Sequence, residues 1–283
     1  MQPRLSKVGL THQLHLEIWG SSGPGVVLAH GFGGSARNFR PQARALASRF
    51  RVALYDSRGH ARSTPVAAGE GSTEALVGDM RRVARVMGGA KVVVGGLSMG
   101  SRVALHYALA HLDGCSGLVL AALPPGSPQQ REWAEALAEC LLEQGTDRAG
   151  EEYVWGRRSR FDPAGAAWIR QGFLEHSPES LATIASELLA LQEPIEEMGE
   201  QLKLLDIPSL IVVGEADTPS REASHRLAEI LPCAELVVIP GAGHVVNLEA
   251  PAPFNEALES FLENLPFGHW DRTDNQKVVD TSH

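Results

Sequence analysis

The chain is poor in cysteine, in aromatic residues and in excess positive charge, and each shortage removes a class of function. Its 3 cysteines, Cys115, Cys140 and Cys233, lie far apart and form no Cys-x-x-Cys pair. A thiol redox motif, a zinc knuckle and a disulfide framework therefore have no basis here, and the three read as small buried hydrophobes. Lysine and arginine number 25 against 34 acidic residues, for a formal net charge of -9. A surface for nucleic acid or an anionic membrane needs clustered cations, so neither partner is expected. No apolar run approaches the roughly 20 residues of a membrane span. The opening "MQPRLSKVGLTHQLHLEIWG" lacks the apolar centre of a secretory signal, so a cytoplasmic location is expected. Metal-ligand spacing and nicotinamide or flavin fingerprints are also missing. "HGFGGS" comes nearest to a phosphate loop but lacks the Lys-Ser/Thr ending, so no cofactor and no metal are expected.

What remains is an ordinary apolar fraction of 43% over 283 residues, arranged as short Val-, Leu- and Ile-rich runs alternating with helix-length patterns. The runs are 26–30, 51–56, 91–97, 117–122, 209–214 and 235–241, with an alternating segment at 13–19 that reads as a half-exposed edge strand. Helical periodicity falls at 37–48, 73–87, 99–111, 221–231 and 253–263. This alternation predicts an α/β domain around a mostly parallel sheet. Between residues 127 and 205 no convincing β run occurs, and helical patterns at 129–143, 148–157, 163–173 and 178–191 predict an inserted helical layer carrying Trp133, Tyr153, Trp155 and Trp168. The segment from Pro266 to His283 is polar and aperiodic, and is expected to be disordered.

The sharpest local signal is "KVVVGGLSMGSRVALHYAL". A buried strand runs into Gly-x-Ser-x-Gly and directly into a helix, the setting in which a serine takes a strained turn and glycines at 96 and 100 relieve collisions with neighbouring backbone. The Ser98 hydroxyl is thereby lifted over the carboxyl edge of the sheet, and the Met99 amide at the helix start shares the same space. Ser98 is the candidate nucleophile.

In order, "HGFGG", "DSRGHARS", "GLSMG", "GEAD" and "GAGHVVNLEAP" resemble the α/β-hydrolase family, and within it the lid-bearing branch of esterases, lactonases and carbon–carbon bond hydrolases. The resemblance spans Leu14 to Leu265. It implies an α/β-hydrolase fold: an eight-stranded, mostly parallel sheet with helices on both faces and a helical cap after the sixth strand. The implied division is a core of 1–123 with 206–265, a cap of 124–205 and a tail of 266–283. It also implies that His244, in a glycine-flanked loop after the last strand, is the base and that Asp217 in "VVGEADTP" is the acid, with Glu215 as the competitor. The amides of Phe32 and Met99 would form the oxyanion site, since the glycines after the first core strand let the Phe32 N–H turn toward the serine. His30, Phe32, Leu97, Trp155 and Val245 are expected at the substrate. Asp56 and Arg58 read as loop-pinning groups. Ala61 stands where relatives carry a second glycine, which predicts a somewhat altered backbone there.

With a Ser-His-Asp set and no cofactor, acyl transfer to water is the default chemistry, on a small or medium acyl ester or lactone. Carbon–carbon bond hydrolysis uses the same three residues. A menaquinone-pathway synthase of this fold would use an arginine after the elbow, matched by Arg102, but Leu97 stands where it has a tyrosine. A small-molecule receptor with vestigial hydrolysis is the reading from another class. Periodicity does not orient the cap helices, and the oligomeric state has no signature in the sequence.

Overall fold

The valine- and leucine-rich runs form the middle of one eight-stranded sheet in a computed structural model that describes residues 2–9, 12–88, 91–156 and 163–266. The strands are β1 (Arg4–Val8), β2 (Leu14–Trp19), β3 (Gly25–Ala29), β4 (Arg51–Tyr55), β5 (Val92–Leu97), β6 (Cys115–Ala121), β7 (Ser209–Gly214) and β8 (Ala234–Ile239), in the order β1-β2-β4-β3-β5-β6-β7-β8. β2 runs antiparallel to both β1 and β4, and every other pairing is parallel. All residues of β3, β5 and β7 are buried, as strands covered on both faces must be, which accounts for continuous apolar runs in place of alternation.

One expectation about the sheet margin is corrected. The segment at 13–19 is not an edge: β2 lies one strand in from the edge and is buried throughout. The edge is β1, "RLSKV", which is largely exposed and has no apolar run to betray it. Its charged side chains suit an edge, where unpaired backbone groups otherwise invite association. The tail expected to be disordered lies, beyond Pro266, outside the described residues.

Helices α1 (Arg40–Leu46), α2 (Thr73–Met87) and α3 (Met99–Ala110) follow β3, β4 and β5 in turn, each with an apolar side against the sheet. In α2 the buried residues Leu76, Met80, Val83 and Met87 recur every three or four positions, the spacing that puts them on one face. After β6 the chain enters the helical insertion. α4 (Pro128–Ala149) starts on a Ser127 cap and breaks at Gly145, whose φ is 77°, before a π-helical turn at Gly150–Val154. α5 (Pro163–Leu174), α6 (Pro178–Ile184), a second π turn at Ala185–Leu189 and α7 (Gly199–Leu202) complete it. The insertion is tied to the loop after β4: Val66 N–H donates to Ser180 Oγ (3.2 Å), and Glu187 accepts the N–H groups of Gly69 and Gly71 at 2.6 and 2.8 Å. α8 (Thr218–Ile230), α9 (Val246–Glu249) and α10 (Pro251–Glu263) flank β7 and β8.

"DSRGHARS" works as a clamp. Asp56 accepts the Ala36 N–H (2.8 Å) and the Arg62 guanidinium (2.7 and 3.0 Å), while Arg58 grips Asp79 with two bonds of 2.6 and 2.8 Å. Burial pushes the Asp56 carboxyl up, but these donors and the neighbouring Arg62 and His30 outweigh it and hold it below the usual range. Ala61 holds a backbone angle in this turn that is rare for a residue with a side chain. Its φ is 45°, so it keeps the left-handed conformation a glycine would favour, at a cost of about 1–2 kcal/mol.

Candidate active site

Ser98 occupies the turn between β5 and α3 with φ 53° and ψ -115°, a left-handed conformation forced on a non-glycine residue. The glycines on either side make that turn possible. A Cβ on residue 96 would lie 2.6 Å from the Ala29 carbonyl oxygen, and one on residue 100 would lie 2.7 Å from that of His30. Both separations are closer than any Cβ tolerates. The Ser98 N–H is held by the Ala121 carbonyl of β6 at 2.8 Å, and its own carbonyl accepts Ser101 Oγ–H at 2.6 Å. The side chain caps nothing, which leaves the hydroxyl free for His244.

His244 lies in the loop after β8, and Asp217 caps α8 directly after β7. The structure brings both to Ser98: His244 Nδ1 lies 2.6 Å from Asp217 Oδ2, and Nε2 lies 2.9 Å from Ser98 Oγ. A carboxylate only accepts, so the imidazole proton sits on Nδ1 and the Nε2 lone pair faces the serine O–H. Burial pushes the Asp217 carboxyl up, yet the charge of His244 and bonds from His244 and Ser220 prevail and keep it below the ordinary carboxylate range. Glu215, the competing acid, points elsewhere: it accepts the Gly241 N–H at 3.0 Å from an exposed position.

Phe32 and Met99 are both buried. Neither backbone N–H donates to an acceptor among the described residues, whereas the next two amides of the same loop do, Gly33 to His60 Nε2 at 3.2 Å and Gly34 to the Gly31 carbonyl at 3.0 Å. Buried amides without acceptors are rare, and this pair flanks the serine turn. Next to them a cavity of about 60 Å³ is lined by Phe32, Ser98, Pro124, Trp133, Leu189 and His244, among others. A smaller one of about 20 Å³ lies against Leu97, Ile169 and Val245 and also touches Phe32, Ser98 and His244.

Phe32, Leu97 and Val245 thus line the cavities at Ser98. His30 and Trp155 do not. His30 is fully buried beneath the loop, with Nδ1 at 2.7 Å from the Gly31 carbonyl and Nε2 accepting the Ser57 N–H at 2.9 Å, so no ring atom remains for a ligand. Trp155 lines neither cavity at Ser98. It packs edge-on against Phe173 at 5.8 Å and lies under the Arg170 guanidinium at 5.0 Å. The cap surface at the serine is instead Trp133 and Leu189, with Pro124 and Pro125 from the exit of β6. The two prolines follow a recognised strand and were open to detection; the orientation of Trp133 and Leu189 depends on helix packing that periodicity does not encode.

Glu249 is a second omission. One carboxylate oxygen accepts the Gly243 N–H and the other the Val245 N–H, both at 2.8 Å, so it holds the backbone on each side of His244. Glu249→Gln keeps one acceptor and turns an NH2 group toward the other amide. Turnover is expected to fall by roughly tenfold, short of the ~100-fold that an ångström of misplacement can cost, with the melting temperature nearly unchanged; steady-state kinetics and circular dichroism on the one variant check both.

Among the described residues no group of three or more His, Cys, Asp or Glu side chains could hold a metal ion, and no helix is long and apolar enough to cross a membrane. Three known proteins bracket the chain. A thermophilic esterase from Thermogutta terrifontis is 30% identical and superposes with a TM-score of 0.79, covering 92% of this chain and 98% of the esterase. A Caulobacter protein described as a carbamate hydrolase, RutD, is 29% identical over 90% of this chain and 96% of its own length. A Bacillus subtilis protein described as 2-succinyl-6-hydroxy-2,4-cyclohexadiene-1-carboxylate synthase is 26% identical over 85% and 90%. The model of the alpha/beta hydrolase family matches residues 26–257, most of the sheet and all of the serine, acid and histidine loops, and the chain belongs to that family.

Proposed function

We propose that the protein is a serine carboxylic-ester hydrolase that cleaves small or medium acyl esters or lactones through an acyl-enzyme. In this reading Ser98 is the nucleophile, His244 the base, Asp217 the orienting acid, and the Phe32 and Met99 amides the oxyanion donors. Residues 124–205 serve as a cap over a core of 1–123 and 206–265. The observation that carries it is the unbroken hydrogen-bonded chain from Asp217 through His244 to Ser98, of 2.6 and 2.9 Å, ending on a mainly apolar cavity.

The chemistry follows from the geometry. His244 Nε2 takes the Ser98 proton as Oγ attacks the acyl carbon, and the carbonyl oxygen acquires negative charge. Two preorganised amides stabilise that charge, each contributing on the order of 3 kcal/mol. The proton passes from Nε2 to the departing alcohol, leaving an ester on Ser98. Water then enters, gives its proton to Nε2, and the sequence reverses to release the acid. Water and the ester are the only reactants, and the small cavity favours short acyl groups.

The esterase and the carbamate hydrolase among the relatives both cleave an acyl-type bond by name, which supports hydrolysis over the other readings. Arg102 argues against the synthase-like one. It is 1% exposed, with Nε donating to the Pro124 carbonyl at 3.0 Å and Nη1 directed at Met198 Sδ, and among the described residues the cavity lining holds no lysine or arginine for a dicarboxylate. Carbon–carbon bond hydrolysis would employ the same groups and is separated by assaying a diketone beside the esters. The decisive test is covalent: an alkyl fluorophosphonate should add its phosphonyl group to the peptide containing Ser98, with loss of esterase activity in step. Mass spectrometry that finds the label on another residue, or on none, overturns the assignment and leaves a binding protein.

A further inference from the structure

Three histidines outside the Ser98–His244–Asp217 chain stand in a row behind the loop that carries Phe32. The ring centroids of His30 and His60 are 5.0 Å apart and those of His60 and His176 5.1 Å, both pairs edge to face. All three are buried, and His176 arrives from the inserted helical layer. Each bonds a different peptide of residues 31–34. His30 Nδ1 meets the Gly31 carbonyl at 2.7 Å, His60 Nε2 accepts the Gly33 N–H at 3.2 Å, and His176 Nε2 meets the Gly34 carbonyl at 3.1 Å.

The second ring nitrogens are also engaged, and they settle the tautomers of the first two. His30 Nε2 accepts the Ser57 N–H at 2.9 Å, and His60 Nδ1 faces the Arg58 carbonyl at 3.0 Å. An N–H aimed at Nε2 requires a lone pair there, so His30 and His60 each carry their single proton on Nδ1, toward a carbonyl. Only a neutral imidazole offers one donor and one acceptor at once. Burial lowers all three, His30 to about 4, His60 well below the ordinary histidine value and His176 less completely because its carbonyl partners oppose it. The neutral forms of His30 and His60 therefore hold at neutral pH.

A trans peptide is planar, so its C=O and N–H point in opposite directions. The Gly31 carbonyl and the Phe32 N–H belong to one such plane, and the Gly33 N–H belongs to the next. Holding the Gly31 oxygen from one side and the Gly33 hydrogen from another leaves the Phe32 N–H a single direction. We propose that His60 is a positioning residue for the oxyanion site, its Nε2 lone pair fixing the peptide that follows Phe32 while His30 fixes the one before. The proposal rests on the hydrolase reading above and adds to it a residue that touches neither substrate nor Ser98.

The test compares replacements that remove the acceptor with one that restores it. His60→Phe and His60→Leu, two sizes in case one does not fold, should lower kcat on p-nitrophenyl acetate by about 10- to 100-fold, the upper end being the cost of losing an oxyanion donor outright. KM should hardly move, and affinity for an alkyl boronic acid, which forms a tetrahedral anion on serine, should fall with kcat. His60→Gln, whose side-chain oxygen can accept the Gly33 N–H, should recover most of the loss. A purely structural histidine would lower the melting temperature in every variant without this split between kcat and KM or this rescue. Wild-type kcat in the Phe and Leu variants, or an equal loss in the Gln variant, overturns the proposal. Ser98→Ala run alongside separates the two levels. If that variant is inactive while His60→Phe is fully active, the positioning role alone falls; if Ser98→Ala still turns over, the hydrolase reading falls and takes this role with it.

Discussion

Ser98→Ala is expected to reduce hydrolysis of p-nitrophenyl acetate by on the order of 10⁵-fold or more, the scale seen when a serine nucleophile is removed from a set that acts as a unit. The substitution deletes one oxygen, which among the described residues bonds His244 Nε2. It leaves the turn intact, because alanine carries the same Cβ at φ 53° and the Ala121 and Ser101 bonds to residue 98 involve backbone atoms. The melting temperature should therefore stay close to wild type, and a carboxylic acid product should bind with unchanged affinity, since the cavity walls at Pro124, Trp133 and Leu189 are untouched. Activity within tenfold of wild type would mean that ester cleavage occurs somewhere else on the molecule.

Asp217→Asn should cost about 10⁴-fold in kcat with little change in KM. An asparagine can turn its NH2 toward Nδ1, which then needs a lone pair; the imidazole proton moves to Nε2 and points at Ser98 Oγ, the wrong way to accept from it. The carboxylate of Asp217 lies below its ordinary range in the folded protein, so the loss of wild-type activity on acidification reports the imidazole taking up a proton and not the acid. The sign for stability follows from the same shift. A depressed folded value contributes stability above the unfolded value of about 3.9, and that contribution disappears as pH falls through the folded one. The Asn variant forfeits it at neutral pH and should melt somewhat lower. Glu215→Gln is the control, because that side chain bonds Gly241 and not His244; an equal loss in both variants would point to a disturbed loop in place of a lost orienting acid.

How far the chain could be read without its fold depended on whether a feature is local. The turn at Ser98 was legible because Gly-x-Ser-x-Gly and the strand and helix on either side of it are contiguous in the chain, although much of the crowding that demands glycine there comes from Ala29 and His30, far away in sequence. The interior strands were legible because burial on both faces writes an unbroken apolar run. β1 was not, since an edge strand reading "RLSKV" obeys solvent on one side and pairing on the other. Glu249 escaped because its partners are backbone amides, which leave no residue type to match. His30 is expected at the ligand from its place in the loop before Phe32 and Trp155 from its place in the inserted helical layer, whereas packing turned one ring under its loop and the other against Phe173. His60 sits in a motif read as a clamp, and its reach to Gly33, across 27 positions, appears only when β3 and β4 are laid side by side.

Among the backbone atoms that exclude a side chain at positions 96 and 100 are those of Ala29 and His30, the end of the strand from which the Phe32 loop departs. Alcohol and oxyanion donors are therefore gauged against one another by the parallel pairing of β3 with β5, a rigid register inside the sheet, to which the inserted layer adds the His176 bond to Gly34. The two halves of the molecule can drift separately over evolutionary time: helices above the cavity are free to be resculpted for a new acid or alcohol, while the spacing on which bond cleavage depends travels unchanged beneath them.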